Sequence, residues 1–297
     1  MVGILSIQSH VAFGHVGNAA VAFPLQTLGH DVWTVPTAVL SNHAGYRETS
    51  GAVLPVETVR DLLNGLIPRG VDARCELILS GYLGSVPVGR AVLETVAQFR
   101  ATRSDVRYCC DPVIGDRDSG AYVADGLSEF FRDVALPAAN ILTPNLFELE
   151  CLTDCTPGAL EGAAPGEVIR AARHLLARMQ PGGCVLVTSA AMPGGLPDHI
   201  AMLAIEPETA WGVETSRYGF TIPPHGAGDL VAALFAANYV QTGDAATALG
   251  DCAARLHGVF AQTARCDGAE LELVAARTGI VSPDQKFEVR SLEPRGA

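Results

Sequence analysis

The sequence has few basic residues. Its 20 Lys and Arg stand against 32 Asp and Glu, which gives a formal net charge of −12 at pH 7. A protein that binds nucleic acid or an anionic membrane surface needs a cationic face that displaces counterions from phosphates. The charge balance therefore argues against both kinds of partner, while a local cationic pocket stays compatible with it.

Long apolar runs are also missing. The longest have the length of a strand and fall short of the roughly 20 residues of a transmembrane helix. The start, MVGILSIQSH, has no basic segment and no cleavage site, so it predicts a first strand and not a signal peptide. The eight cysteines form no CxxC pair and no Cys/His cluster at zinc spacing. We therefore expect a reduced, cytoplasmic protein whose cysteines pack by default as small apolar residues.

What is present is the composition of a folded protein, with 48% hydrophobic and 18% charged residues. Short apolar runs predict strands buried on both faces, at 3–7, 32–35, 77–80, 106–110, 140–142, 184–188 and 200–205. Apolar spacings of three and four predict helices at 56–67, 88–102, 167–179 and 230–239. This alternation predicts a doubly wound α/β fold, with a mostly parallel sheet flanked by helices on both faces. We expect one domain over residues 1–297.

Polar residues follow five of these predicted strands. In a parallel α/β sheet the ligand binds beyond the carboxyl ends of the strands, so the five segments are expected to share one rim. A single polar segment suits an ordinary loop, whereas five together favour a site. They are Gln8-Ser9-His10, Ser80-Gly81-Tyr82, Asp111-Pro112-Val113, Thr143-Pro144-Asn145 and Ser189-Ala190.

The segment Pro-Pro-His-Gly-Ala-Gly-Asp at 223–229 precedes an Ala-rich apolar run. Two glycines allow a tight turn, and the start of the helix that follows offers unpaired N–H groups to an anion. Asp229 in the first turn has two readings. It either caps the helix or accepts the proton of a substrate hydroxyl as a phosphoryl group arrives. A Gly-x-Gly-Asp motif alone leaves both open.

Other nucleotide signatures are absent, since there is no GxxxxGK[ST] and no GxGxxG that opens a βαβ unit. The glycines at 14 and 17 come close to a Gly-rich turn but lack the dinucleotide pattern. We interpret Asn18 as the N-cap of a helix that reaches Leu28, with a kink at Pro24.

Two acidic segments leave alternatives open. Asn145 and Glu148 are three residues apart, as in a capping box, but Glu148 and Asp111 also suit Mg²⁺, which takes one or two carboxylates beside nucleotide phosphates. The polar stretch at 112–122 is either a loop that closes over a nucleotide or an ordinary connection.

Taken together, Gly-Ala-Gly-Asp at 226–229, Asn145-x-x-Glu148 and Asp111-Pro112-Val113 resemble the ribokinase-like superfamily of ATP-dependent kinases. Three further segments are similar to the pyridoxal kinase family within it. They are Leu5-Ser6-Ile7-Gln8-Ser9-His10-Val11 with Gly14 and Gly17-Asn18, Ser41-Asn42-His43-x-Gly45-Tyr46, and Ser80-Gly81-Tyr82-Leu83-Gly84-Ser85. The similarity extends to Glu270-Leu271-Glu272-Leu273.

This resemblance implies transfer of the γ-phosphate of ATP to the 5′-hydroxyl of pyridoxal, with pyridoxine and pyridoxamine as further substrates. It also implies a homodimer that requires Mg²⁺ and often K⁺. Asp229 takes the position of the catalytic base, and the N–H groups of Gly226, Ala227 and Gly228 form the anion hole. The vitamin pocket is assigned Ser9, His43, Tyr82 and Asp229. The ATP site is assigned Asp111, Asp116, Tyr122, Thr143, Glu148, Thr188, Ser189 and His225, with Asp111 and Glu148 at the metal.

The chain departs from the family pattern at three positions. Ala44 replaces a frequent threonine, Ala121 stands where some bacterial relatives carry a cysteine, and Thr188 replaces a lysine of some bacterial members. The first two bear on substrate preference, and none touches the residues of phosphoryl transfer.

Two alternatives are considered, one of them still a kinase and the other not an enzyme. A hydroxymethylpyrimidine kinase shares the Gly-Gly-Asp loop and the Asn-x-x-Glu element, but the segments that contain Ser9 and His43 favour the pyridine ring. A non-catalytic pyridoxal-binding protein could keep the fold and lose turnover. The retained base, anion-hole glycines and metal carboxylates argue against it.

Overall fold

The computed structural model describes residues 1–192, 195, 198–266 and 269–293. Within them the strands are β1 (Gly3–Val11), β2 (Asp31–Leu40), β3 (Gly51–Val53), β4 (Leu77–Ser80), β5 (Arg107–Cys110), β6 (Gly115–Asp116), β7 (Gly120–Ala121), β8 (Ile141–Leu142), β9 (Cys184–Ala190), β10 (His199–Ile205), β11 (Ala210–Ser216) and β12 (Arg290–Ser291). The helices are α1 (Asn18–Thr27), α2 (Val56–Asn64), α3 (Val71–Arg74), α4 (Val86–Thr102), α5 (Leu127–Phe130), α6 (Leu146–Thr153), α7 (Pro165–Leu176), α8 (Ala227–Thr242), α9 (Ala245–Cys266) and α10 (Arg277–Val281).

Ten of the strands form one sheet, in the order β12-β11-β10-β9-β8-β5-β4-β1-β2-β3. The six strands from β9 to β2 run parallel to their neighbours, and antiparallel strands extend the sheet at both edges. Because these six strands point the same way, their carboxyl ends share one rim. The predicted α/β fold with a mostly parallel sheet is therefore confirmed.

Apolar residues cover both faces of this sheet. Ile4 and Leu5 are adjacent in β1 and fully buried, yet they belong to two separate core clusters. Successive side chains of a strand point to opposite faces, so each cluster lies on one face. Helices α2, α4, α6 and α7 supply buried residues to one cluster, and α1, α8, α9 and α10 supply them to the other. Burial on both faces is why the strands read as continuous apolar runs.

Several local predictions need correction. β1 does not end at residue 7 but continues to Val11, so Ser9 and His10 lie within the strand. Asn18 is not an N-cap: Gly17 holds that position, and the Asn18 side chain is bound instead by Ser6 and by the carbonyls of Gln8 and Val35. The polar stretch at 112–122 contains a short hairpin, β6–β7.

All eight cysteines are free thiols. Five are buried as predicted, whereas Cys266 at the end of α9 is exposed. Among the helices of the described residues, none combines the length and the apolar content that crossing a membrane would require.

Candidate active site

The structure places the predicted site residues at the ends of adjacent strands along the shared rim. In sheet order the relevant strands are β9, β8, β5, β4, β1 and β2. The residues at or just beyond their carboxyl ends are Thr188, Ser189, Thr143, Asp111, Tyr82, Ser9 and His43. Residues that are up to 180 positions apart in the chain thus line one rim. The polar segments that follow the predicted strands predicted this for five of them, Ser9, Tyr82, Asp111, Thr143 and Ser189.

Asp229 lies in the first turn of α8 and is hydrogen-bonded to a segment distant in sequence. The N–H of Gly17, in the connection between β1 and α1, donates a hydrogen bond of 2.9 Å to its Oδ2. The first intrahelical bond of α8 runs from Leu230 to the Gly226 carbonyl, so the N–H groups before it have no partner within the helix. No acceptor among the described residues takes the N–H groups of Gly226, Ala227 or Gly228. An unsatisfied set of donors therefore stands beside a carboxylate.

The environment of Asp229 raises the pKa of its carboxyl towards neutral pH. Burial raises its pKa to about 6, and the hydrogen bond from Gly17 acts in the opposite direction. A carboxylate with such a pKa is ionised at pH 7.5 and is a better proton acceptor than an exposed aspartate.

Gly226 has to be a glycine at this turn. Its φ of 86° lies in the left-handed region, and a Cβ atom would stand 1.8 Å from the His15 carbonyl oxygen. By contrast, nothing lies within 4 Å of a Cβ at Gly228. The glycine at 226 thus lets the start of α8 press against the segment that follows β1.

Two further carboxylates, Asp111 and Glu148, form an acidic group beside the ends of β5 and β8. Asp111 is only 6% exposed and accepts a 2.8 Å hydrogen bond from the Thr143 hydroxyl. Burial, reinforced by the charges of Glu148 and Asp229, raises the pKa of Asp111 well above its ordinary value. Among the described residues, none of these three carboxylates has an Arg, Lys or His ion-pair partner. The cluster lacks the positive charge that would stabilise it.

Glu148 forms the capping box that its spacing predicts. Asn145 caps α6 by accepting from the Glu148 N–H at 2.8 Å, and Glu148 Oε2 accepts from the Asn145 N–H at 2.9 Å. Its Oε1 also accepts from the Ile114 N–H at 3.0 Å. Burial raises the pKa of Glu148 to about 7 against these hydrogen bonds. The Gly115 N–H donates a longer bond of 3.5 Å to the same oxygen, Oε1, so the carboxylate is structural in this state, and Oε2, with its single hydrogen bond, keeps a lone pair for a ligand.

The β6–β7 hairpin lies above this acidic group and carries two predicted ATP-site residues. Asp116 Oδ1 accepts a 2.7 Å hydrogen bond from the Ser119 N–H, which shapes the hairpin turn. Tyr122 follows β7 and is 53% exposed. Because Glu148 holds Ile114 at the base, the hairpin is anchored to the acidic group at one end and open to solvent at its tip.

The residues that the sequence predicts for the vitamin pocket lie along β1, β2 and β4. Ser9 is 7% exposed, and Gly17 approaches its carbonyl so closely that a Cβ there would lie 2.2 Å away. The Tyr82 carbonyl accepts from the Thr37 hydroxyl of β2 at 2.5 Å, which fixes the chain after β4. These contacts bring Ser9 and Tyr82 onto adjacent strands of the rim.

His43 uses both ring nitrogens within the protein. Its Nε2 lies 2.8 Å from Glu270 Oε1, and its Nδ1 accepts from the Gly45 N–H at 3.1 Å. The ring stacks on His225 with centroids 4.2 Å apart. The sequence did not identify Glu270 as a functional residue, since its partners lie more than 220 positions away.

Thr188 and Ser189, both predicted for the ATP site, lie near the end of β9 on the rim. The Thr188 N–H donates to the Pro144 carbonyl at 3.0 Å, which joins this strand to the start of α6. Ser189 has a φ of 59°, an uncommon left-handed conformation for a residue with a side chain. Ser189 lines a cavity of about 650 Å³ with Asp116, Asn145 and other residues of the hairpin side. That volume is in the range of small-molecule sites.

Comparison with known proteins identifies a family model, relatives and structural neighbours of this chain. The family model described as phosphomethylpyrimidine kinase matches residues 25–269. The pyridoxal kinase PdxY of Granulibacter bethesdensis is 44% identical over 96% of this chain and 98% of its own length. That of Corynebacterium diphtheriae is 39% identical over 97% and 99%. The structure of pyridoxal kinase from Leishmania donovani with ADP and pyridoxamine has a TM-score of 0.86 at 28% identity and covers 98% of this chain and 99% of its own.

Proposed function

Because this chain belongs to the pyridoxal kinases and uses ATP to phosphorylate B6 vitamers, we propose how its own residues divide the reaction. The single observation that carries the proposal is Asp229, held by Gly17 in the first helical turn beside three N–H groups that find no acceptor in the part of the chain that the structure describes. The whole chain, 1–297, acts as one ribokinase-like kinase domain.

In this proposal Asp229 accepts the proton of the 5′-hydroxyl of pyridoxal as that oxygen attacks the γ-phosphorus of ATP. The bond between the γ-phosphorus and the bridging oxygen breaks, and ADP leaves with the electron pair. The N–H groups of Gly226, Ala227 and Gly228 stabilise the charge on the transferring phosphoryl oxygens. Ser9, His43 and Tyr82 surround the vitamin, while Asp116, Tyr122, Thr143, Thr188, Ser189 and His225 surround the nucleotide.

The acidic group suits Mg²⁺. No three His, Cys, Asp or Glu of the described residues form a ready metal cage. Mg²⁺ commonly binds through one or two carboxylates, water and substrate phosphates, which fits Asp111 with Glu148. A bound cation would supply the positive charge that these buried carboxyls lack and would favour their ionised form, which burial and mutual repulsion disfavour in the ligand-free protein. When bound, Mg²⁺ would offset the charge of the nucleotide phosphates beside these carboxylates.

Three further expectations complete the proposal. Resemblance to the family supports K⁺ as a monovalent activator and the cytoplasm as the site of action. A homodimer is supported by exposed apolar side chains at the β2–β3 edge of the sheet, where Val39 and Val53 are 44% and 40% exposed.

A substrate comparison tests the proposed reaction. We expect the purified protein to form pyridoxal 5′-phosphate from pyridoxal with MgATP, because the segments that contain Ser9 and His43 resemble those that bind the pyridine ring, and pyridoxine and pyridoxamine are assayed as further substrates. Product formation is followed by absorbance, with hydroxymethylpyrimidine assayed in parallel. Phosphorylation of hydroxymethylpyrimidine alone would assign the chain to the pyrimidine branch of its family model. Replacing K⁺ by Na⁺ in the same assay tests the cation.

Removing the Asp111 charge should stabilise the ligand-free protein and impair metal use. The pKa of Asp111 is higher in the folded than in the unfolded protein. The folded protein therefore loses stability as the pH rises from the unfolded pKa to the folded pKa. Asp111→Asn has no carboxyl that titrates, so it avoids this loss of stability, and its amide oxygen can still accept from the Thr143 hydroxyl. We expect its melting temperature at pH 8 to exceed that of the wild type, because only the wild type contains a carboxyl whose burial is unfavourable at that pH.

The difference in melting temperature should disappear near pH 4, and the Mg²⁺ concentration for half-maximal activity should rise at least about tenfold. Thermal scans without ligand and Mg²⁺ titrations of activity measure these effects. Asp118→Asn, at an exposed aspartate of the β6–β7 hairpin, is the control. An unchanged Mg²⁺ requirement would exclude Asp111 from the metal site.

A further inference from the structure

Glu270 joins three segments that are remote in sequence. Its Oε1 accepts from the Tyr46 hydroxyl at 2.7 Å and lies 2.8 Å from His43 Nε2, and its Oε2 accepts from the His15 N–H at 3.0 Å. Burial would raise its pKa, but these hydrogen bonds together lower the pKa of Glu270 below its ordinary value. The side chain is therefore an anion at neutral pH, and each oxygen has a defined acceptor role.

These contacts fix the tautomer of His43. The Gly45 N–H donates to Nδ1, so that nitrogen carries no proton. The ring proton must then lie on Nε2, where it is donated to Glu270. With both nitrogens engaged, the part of His43 that remains for other contacts is its ring face.

That face is occupied by His225. The two ring centroids are 4.2 Å apart with an interplanar angle of 33°. Gly45 permits this packing, because a Cβ there would lie 2.3 Å from His225 Nε2. Burial lowers the pKa of His225, and the neighbouring His43 lowers it further. The His225 ring is therefore neutral at pH 7. The stack is thus not weakened by repulsion between two cationic rings.

His225 directly precedes Gly226, the residue at which α8 begins. On its other side Gly226 packs against the carbonyl of His15, whose N–H is bound by Glu270. The anion-hole loop (residues 225–228) is therefore held from two directions by groups that share one carboxylate.

We propose that Glu270 is a positioning residue for phosphoryl transfer: through the His43–His225 stack it sets the orientation of the anion-hole loop. The inference rests on the role proposed for the N–H groups of residues 226–228. Glu270 acts here through its contacts with His15, His43 and Tyr46. Its effect is to keep the donors aligned when the loop that contains His43 is in place.

Glu270→Gln tests this assignment with little change in size. An amide offers one acceptor oxygen and one NH₂ group, so either the His15 side or the His43 and Tyr46 side loses its acceptor. We expect kcat to fall about 10- to 100-fold, since displacement of about 1 Å can cost about 100-fold. The KM values for pyridoxal and MgATP should change less than about threefold. Glu272→Gln, in the same segment with no side-chain hydrogen bond or ion pair among the described contacts, should match the wild type.

Two readouts separate positioning from a general structural role. In the His225→Ala background the stack is gone, so the loss caused by Glu270→Gln should shrink to less than about a third of its value in the wild type. In spectra of ¹⁵N-histidine-labelled, ligand-free protein, Glu270→Gln should shift the ring signals of His43 and His225, and Glu272→Gln neither. Equal kinetic losses in both backgrounds, or an unmoved His225 signal, would overturn the inference.

The inference and the proposed function fail separately. The histidine spectra need no turnover, so they judge the stack even if pyridoxal is not phosphorylated. A fully active Glu270→Gln variant beside an inactive Asp229→Asn variant would overturn the positioning role and leave the catalytic base in place.

Discussion

Asp229→Asn should lower kcat for pyridoxal phosphorylation by about 10³-fold, because a positioned general base contributes about 10²- to 10⁴-fold. Asparagine keeps an oxygen that can accept the Gly17 N–H, the contact that holds this side chain in the wild type at 2.9 Å. The turn at the start of α8 should therefore survive, and only the proton acceptor is lost. Dissociation constants for pyridoxal and a non-hydrolysable ATP analogue should stay within about threefold.

Steady-state kinetics and calorimetric titrations measure the two halves of this prediction. Asp244→Asn is a matched control, since Asp244 also stands at a helix start, accepts the Thr247 N–H at 2.6 Å and lies before α9. Asparagine caps helices as well as aspartate, so this variant should keep full activity. Turnover of Asp229→Asn at the wild-type rate would refute the role of Asp229 as base.

The parts of the fold that the sequence predicted are those in which burial leaves a clear pattern. Strands β4, β5, β8 and β9 lie in the middle of the sheet, where both faces are covered, and each was located to within a few residues. The end of β1 was missed because its last residues are polar. Gln8 is 1% exposed and its amide donates to the Ser6 hydroxyl, so a buried hydrogen bond replaces the apolar signal.

Helix α9 shows why another element was not predicted. Its 22 residues are rich in alanine, and two internal glycines read as breaks in the pattern. One of them, Gly258, lies against Gly279 of α10, where a Cβ would be 3.5 Å from the Gly279 Cα. The glycine therefore serves helix packing and does not end the helix, a distinction that depends on a contact between distant segments.

The candidate site, like the fold, could be predicted only in part. Parallel strands end at the same edge of a sheet. The polar residues after the predicted strands, among them Ser9, Asp111 and Thr143, could therefore be placed on one rim from the sequence. The partners of Asp229 and Glu270 could not be found in this way. Gly17 and Asp229 are 212 residues apart, and His15 and Glu270 are 255 apart. Such contacts are decided by how loops pack, for which a single sequence has no periodic signal.

Gly226→Ala should reduce kcat by about 10²- to 10³-fold, the range observed when one oxyanion donor is lost. Two effects combine at this position. A left-handed φ of 86° costs an alanine roughly 1–2 kcal/mol, and its Cβ would lie 1.8 Å from the His15 carbonyl oxygen. That contact is impossible without movement, so the loop must shift and carry its N–H groups away from the transferring phosphoryl group.

Gly243→Ala isolates the conformational cost, because Gly243 ends the same helix with a φ of 68° and no atom lies within 4 Å of its added Cβ. This control should lose about 1–2 kcal/mol of stability, or a few degrees in melting temperature, and keep the wild-type kcat. Gly226→Ala should lose at least as much stability and nearly all turnover, and kinetics with thermal scans of both variants measure the contrast. Loss of activity in both would trace the effect to α8 as a whole, whereas retained turnover in Gly226→Ala would contradict an anion hole built on this turn.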